Sequence, residues 1–156
     1  MKTLVLGIGN LLLCDEGVGV HVARLLQQEE LPEDVVILEV GTAFLEALPE
    51  METADRIIIV DAMQADHAPG SIYRVPFDEC VKPECIASLH GFDLSRALFL
   101  AGRETLPDVV VIGVEPARID WGVDLSPDVQ KMIPSVLDAV KAEIAREHKG
   151  AAACSE

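Results

Sequence analysis

Four positions in this chain are of a type, and at a place, to do chemistry: Asp15, Glu16, Asp61 and His90. Asp15 and Glu16 follow Leu11-Leu12-Leu13-Cys14 directly, where core construction alone has no use for two carboxylates. They fall at the predicted mouth of a helix, whose positive end stabilises negative charge. Asp61 closes the apolar run Ile57–Val60, and His90 sits in Ser88-Leu89-His90-Gly91, ahead of another predicted helix. Two carboxylates and an imidazole suit a borderline divalent ion such as nickel, zinc or cobalt, with water in the remaining positions. Each residue also has a plainer reading. Asp15 or Glu16 can cap the helix, Asp61 can be a turn residue, and His90 can be a packed histidine or one at a helix N-terminus. His21 lies on a predicted helix, His67 in a polar loop beside Pro69-Gly70 and His148 near a fraying end, so none of these joins a ligand pattern.

Such a site needs elements to position it, and the hydrophobic pattern supplies them. Five short runs read as strands: Thr3–Ile8, Val35–Val40, Arg56–Asp61, Ser71–Pro76 and Asp108–Val114. Leu4-Val5-Leu6, Ile57-Ile58-Ile59-Val60 and Val109-Val110-Val111-Ile112 are continuously apolar, as in parallel strands covered on both faces. Ser71-Ile72-Tyr73-Arg74-Val75 alternates instead, which predicts an edge strand. Helices are predicted over Val18–Gln28, Ala43–Leu48 (ending at Pro49), Asp93–Leu100 (closing on Gly102) and Ser126 to about His148. The last begins with an N-cap serine and a proline in its first turn, and Pro134 should break it near Ile133. This alternation predicts a three-layer α/β/α sandwich around a five-stranded, mainly parallel twisted sheet. In an open sheet of that kind ligands collect beyond the carboxyl ends of the strands. Those ends carry Asn10, Asp15 and Glu16 after the first strand and Glu39, Gly41 and Thr42 after the second. Asp61 ends the third, and Gly113-Val114-Glu115-Pro116 ends the fifth.

With 156 residues the chain reads as one domain over 1–150 and a disordered tail over 151–156. Half the residues are apolar and only 4% aromatic, so the core must be built from Val, Ile, Leu and Ala. A net charge of −15 leaves no electrostatic footprint for nucleic acid or an anionic membrane surface. Cys14, Cys80, Cys85 and Cys154 have neither zinc-site nor disulfide-framework spacing and read as reduced thiols. The glycines and Asn10 interrupt the first apolar run, so it is not a signal peptide, and no run is long enough to span a bilayer. The expectation is a soluble, cytoplasmic protein, monomeric because no heptad pattern or dimer helix stands out.

Other chemistries fit less well. Gly7-x-Gly9 opens like a dinucleotide fingerprint, but its third glycine position is Leu12, and two acids at the helix entrance would repel a pyrophosphate. There is no G-x-S-x-G and no H-E-x-x-H, and Cys14 has two acidic neighbours and no evident base.

The stretch Gly7-Ile8-Gly9-Asn10-Leu11-Leu12-Leu13-Cys14-Asp15-Glu16-Gly17-Val18-Gly19 resembles the G-x-G-N-x-L-x-x-D-[DE]-x-x-G signature of the hydrogenase maturation endopeptidases. Gly41-Thr42, Val60-Asp61-Ala62, Pro69-Gly70, the Ser88–His90 segment and Gly113-Val114-Glu115-Pro116 continue the resemblance in order along nearly the whole chain. The resemblance implies an aspartic-type or metal-dependent cytoplasmic endopeptidase. Its partner would be the precursor of a nickel–iron hydrogenase large subunit, from which it removes a C-terminal extension after nickel insertion. By the same resemblance Glu16, Asp61 and His90 contact the metal, with Asp15 and Glu39 as candidate supporting residues and the catalytic group unassigned. Many members have Asp-Gly-Gly-Thr after the second strand where this chain has Glu39-Val40-Gly41-Thr42. The nickel is expected to come with the substrate, and another divalent ion such as zinc or cadmium could occupy the site in vitro. A non-catalytic nickel-binding chaperone for the same precursor is the alternative.

Overall fold

The computed structural model describes residues 1–76, 102 and 107–146. His90, the predicted helix over 93–100, His148, three of the cysteines (Cys80, Cys85 and Cys154) and the tail lie outside the described residues.

All five strands form close to where they were predicted: β1 (Thr3–Ile8), β2 (Val35–Gly41), β3 (Arg56–Ala62), β4 (Ile72–Pro76) and β5 (Asp108–Val114). They make one sheet in the order β2-β1-β3-β5-β4. The first four in that order are parallel, and β4 closes the edge antiparallel to β5. The edge position explains β4's alternating sequence. Along the continuously apolar strands, successive side chains enter opposite cores. Leu4, Leu6, Ile57 and Ile59 pack with Phe44, Ala47 and Met51 on one face. Val5, Ile58, Val60, Val110 and Ile112 pack with Val18, Val22, Leu26, Val136 and Val140 on the other. Full burial of each such side chain contributes about 1.5–3 kcal/mol relative to exposure, so these strands have no alternative face to present.

Helix α1 (Val18–Leu26) follows a 3-10 turn over Cys14–Gly17. It seats on the sheet through glycine: a Cβ on Gly19 would collide with the carbonyls of Ile8 and Val60, and one on Gly7 with the Gly19 carbonyl and Ala23. The first turn of α1 therefore lies directly on β1 and β3.

A 3-10 turn (Phe44–Ala47) runs into α2 (Leu48–Thr53). Here Pro49 opens the helix, where sequence had it ending one. A proline lacks only an N–H that the first helical turn leaves unpaired anyway. The long C-terminal helix is two helices, α3 (Pro127–Gln130) and α4 (Ile133–Ala145), with the Ser126 hydroxyl accepting from Val129 N at 3.4 Å as the N-cap of α3. Pro134 falls in the first turn of α4, which places the break at Lys131-Met132.

The chain runs from β1 to β2 through α1 on one face, then from β2 to β3 through α2 on the other, so β3 lands on the far side of β1. The crevice beyond the carboxyl ends of β1 and β3 is thus a topological switch point, the place where open α/β sheets bind ligands. Among the described residues no helix is long and apolar enough to cross a membrane.

Candidate active site

Two of the predicted site residues meet at that switch point. Gly9 follows β1 with φ +127°, a conformation that strains any residue with a Cβ. A Cβ on Gly9 would strike the Glu16 carbonyl and stand 3.5 Å from Asp61 Oδ1. The Glu16 main chain and the Asp61 carboxylate therefore converge on this one glycine. Glu16 is half-buried in the 3-10 turn that enters α1, and Asp61 is 5% exposed at the end of β3. Asp61 Oδ1 accepts from Ala62 N at 2.8 Å, which holds the carboxylate at the strand end. Asn10 shapes the loop between: its Oδ1 accepts from Leu12 N at 2.9 Å, an Asx turn.

Asp15, beside Glu16, points elsewhere. It is fully buried, and its carboxylate accepts four hydrogen bonds from the segment after β5: Ala117 N and Arg118 N at 2.9 Å, and Ser126 N and Ser126 Oγ at 2.8 Å. It caps neither the 3-10 turn nor α1. Instead it latches the 117–126 loop and steadies the serine that caps α3. Replacing it by alanine leaves these donors unpaired, each a loss of about 1–3 kcal/mol. Asp15→Ala should therefore lower the denaturation midpoint in urea by several kcal/mol equivalent, while Asp15→Asn, which keeps part of the acceptor set, should lose less.

A second buried acid does the same for the loop after Asp61. Glu115 Oε2 accepts from Ala65 N at 2.8 Å and from the Tyr73 hydroxyl at 3.0 Å. Burial, then the hydrogen bond to Glu115 and its charge, push the Tyr73 phenol up to about 12, so it stays protonated as a donor. Gly113 lies level with Asp61 in the β3–β5 register, and a Cβ there would press on Met63.

Glu39 is paired across to α1: Arg24 Nε donates to Oε2 at 2.9 Å and Nη2 to Oε1 at 2.6 Å. That hydrogen bond holds the Glu39 carboxyl below its ordinary range. His21, one turn earlier on α1, is half-buried near Val123 and Asp124. Burial first, then the Arg24 charge, lowers its pKa below 6.5, so its imidazole is neutral at pH 7. His67 is exposed, its ring 5.6 Å from that of Tyr73. Among the described residues no three His, Cys, Asp or Glu side chains cluster as a metal site, and His90, the third predicted ligand, lies outside them.

A family model described as hydrogenase maturation protease matches residues 20–143. The chain belongs to the hydrogenase maturation protease family. That match begins beyond the Gly7–Gly19 signature, so the motif and the model are separate witnesses. The protease is 36% identical over 153 residues to the hydrogenase 2 maturation protease of Escherichia coli, covering 92% of this chain and 91% of that one. It superposes on the hydrogenase maturating endopeptidase HybD of E. coli with a TM-score of 0.79 at 33% identity, covering 92% of each chain. The [NiFe] hydrogenase maturation protease HybD of Thermococcus kodakarensis gives a TM-score of 0.77 at 26% identity, over 94% of this chain and all of that one. The protease thus has the fold of these enzymes, with its first signature wrapped around the switch point.

Sequence reasoning named Asp15 as a candidate supporting residue but missed that it latches the 117–126 loop, and it missed Glu115 as an anchor of the rim. Each stood in a motif, but nothing local announced their partners.

Proposed function

We propose that this protease removes a C-terminal extension from the precursor of a nickel–iron hydrogenase large subunit after nickel has been inserted. The observation that carries the reading is the convergence of the Glu16 main chain and the Asp61 carboxylate at Gly9, on the carboxyl edge of the sheet, in a chain of this family. In this reading the carboxylates of Asp61 and Glu16 form a hard, anionic contact for a metal that the substrate itself brings, held by the substrate's own ligands. His90 is the third proposed contact. In this reading Glu16, Asp61 and His90 do not keep a resident ion; they read whether the precursor carries one, and set its scissile peptide against the rim. Asp15 and Glu115 act one step back, by holding the two loops that border those carboxylates. A precursor without nickel lacks the contact, so it is not cut prematurely. The bound metal can also polarise the peptide carbonyl or acidify a water.

The test is the intact mass of a nickel-loaded large-subunit precursor after incubation with the protease, beside a nickel-free control. Loss of a C-terminal fragment only with nickel is the expected result. Cleavage of both would remove metal recognition from the reading, and an unchanged mass in both would leave the chain a binding module for that precursor.

A further inference from the structure

Beside the site the protease carries an apolar rim that folding does not use. Trp121 is 76% exposed, Val123 60% and Leu12 54%, with Ile119 also exposed. They belong to two strands of loop tied together: Gly122 N donates to Leu12 O at 2.9 Å and Cys14 N to Gly122 O at 2.8 Å. Leu12 is four residues before Glu16 on one of these strands. The other is the loop latched by the buried Asp15 carboxylate. The rim is therefore built rigidly, and its ordering is complete before anything binds.

The rim continues into a groove of about 290 Å³ lined by His21, Arg24, Leu25, Leu125, Gln130 and Ile133. Val123 joins the two, standing two residues before Leu125 of the groove lining. Arg24 is paired with Glu39 and Arg118 with Asp120, while Asp124 stands exposed between Val123 and Leu125. On a chain of net charge −15, the four exposed apolar side chains of the rim select an apolar segment.

We propose that the rim of Leu12, Ile119, Trp121 and Val123, with the groove at His21, is an exosite that docks an apolar segment of the protein substrate away from its scissile bond. The inference rests on the proposed function, because the occupant is the same protein whose chain enters the Glu16–Asp61 site. Continuity argues for that occupant: the rim and Glu16 share one loop, so a protein placed at the site also covers the rim.

Trp121 is the sole tryptophan, so protease grown with 5-fluorotryptophan has one fluorine resonance. Titration of the wild-type protease with nickel-loaded precursor, recorded before cleavage is complete, should shift and broaden that resonance. Trp121→Ala should raise KM for the precursor by roughly tenfold or more, as loss of a buried aromatic anchor does, with kcat unchanged. Val123→Ser and Ile119→Ser should move KM in the same direction. A resonance that stays put while the wild-type protease cleaves the precursor would overturn the exosite and leave the proposed function standing, as would a fall in kcat without a rise in KM. A shift on raising the protease's own concentration would assign the rim to a second copy and also overturn it. If the wild-type protease neither binds nor cleaves the precursor, the proposed function fails and the exosite falls with it.

Discussion

Glu16→Gln or Asp61→Asn should reduce processing of a nickel-loaded precursor by at least about 10²- to 10³-fold, the range that losing one positioned electrostatic contact in a water-excluded site costs. Both substitutions keep the shape of the side chain and remove its charge. Asparagine at 61 can still accept from Ala62 N, as Asp61 does at 2.8 Å, so the end of β3 stays in place. The Glu16 main chain and the Asp61 carboxylate pack against one glycine, and neither substitution changes the volume placed there. The melting temperature should hold or rise, the usual trade between stability and function at a built site. His90→Ala, by the signature, should behave the same way. The decisive comparison is initial rate against thermal stability for each variant. A variant that keeps its processing rate removes that residue from the site, and one that loses both rate and fold says nothing specific about chemistry. If the carboxylates act by reading the substrate's nickel, their loss should also erase the difference in rate between loaded and nickel-free precursor.

The second large effect is expected at the opposite end of the sheet. Glu143 on α4 is buried, and it pairs with the guanidinium of Arg56, itself 4% exposed at the start of β3. Arg74 of β4 donates to both of its oxygens, at 2.7 and 2.9 Å. Arg56 also donates to the Glu143 and Arg146 carbonyls, satisfying the C-terminal end of α4, and lies 3.2 Å from Asp108. One acid thus joins α4 to β3 and β4. Glu143→Ala leaves Arg56 buried with its main countercharge gone, which costs about 3–5 kcal/mol. In a chain of this size that lowers Tm by roughly 6–20 °C. Burial by itself would raise the Glu143 pKa. The Arg74 hydrogen bond, with the charges of Arg56, Arg74 and Arg146, outweighs it and holds the carboxyl below its ordinary 4.5. The stability that follows is fully present above that ordinary value and is lost as pH falls through the lower folded value. Urea titrations from pH 7 down to pH 3 should show wild-type stability dropping in that acid window. Glu143→Gln should be weaker at pH 7 and flatter across the window. Equal slopes for the two proteins would assign acid lability to other carboxylates.

Much of this molecule was legible one residue at a time. The runs at Leu4–Leu6, Ile57–Val60 and Val109–Ile112 specify two-sided strands because side chains alternate faces and both faces are covered. Ser126-Pro127 and Pro134 mark where helices begin and break, because capping and the fixed φ of proline act within a turn. The same periodicity put Asp61 at the end of one strand and Glu16 at the helix mouth after another. The rest depended on contacts between residues far apart in the chain. Pro49 opens a helix and does not end one, since proline allows both and packing of Met51 decides. Asp15 looks like a helix cap in sequence, yet its four donors lie 102 to 111 residues away. Glu39 finds Arg24, and Glu115 finds Ala65 and Tyr73, only because the strand order brings those loops to one rim. Local stereochemistry and periodicity act over a few residues, so the sequence by itself determined the elements and which acids end them. Which of those acids face a substrate and which hold the scaffold was decided by the tertiary structure, because a buried carboxylate takes whatever donors the topology delivers to it.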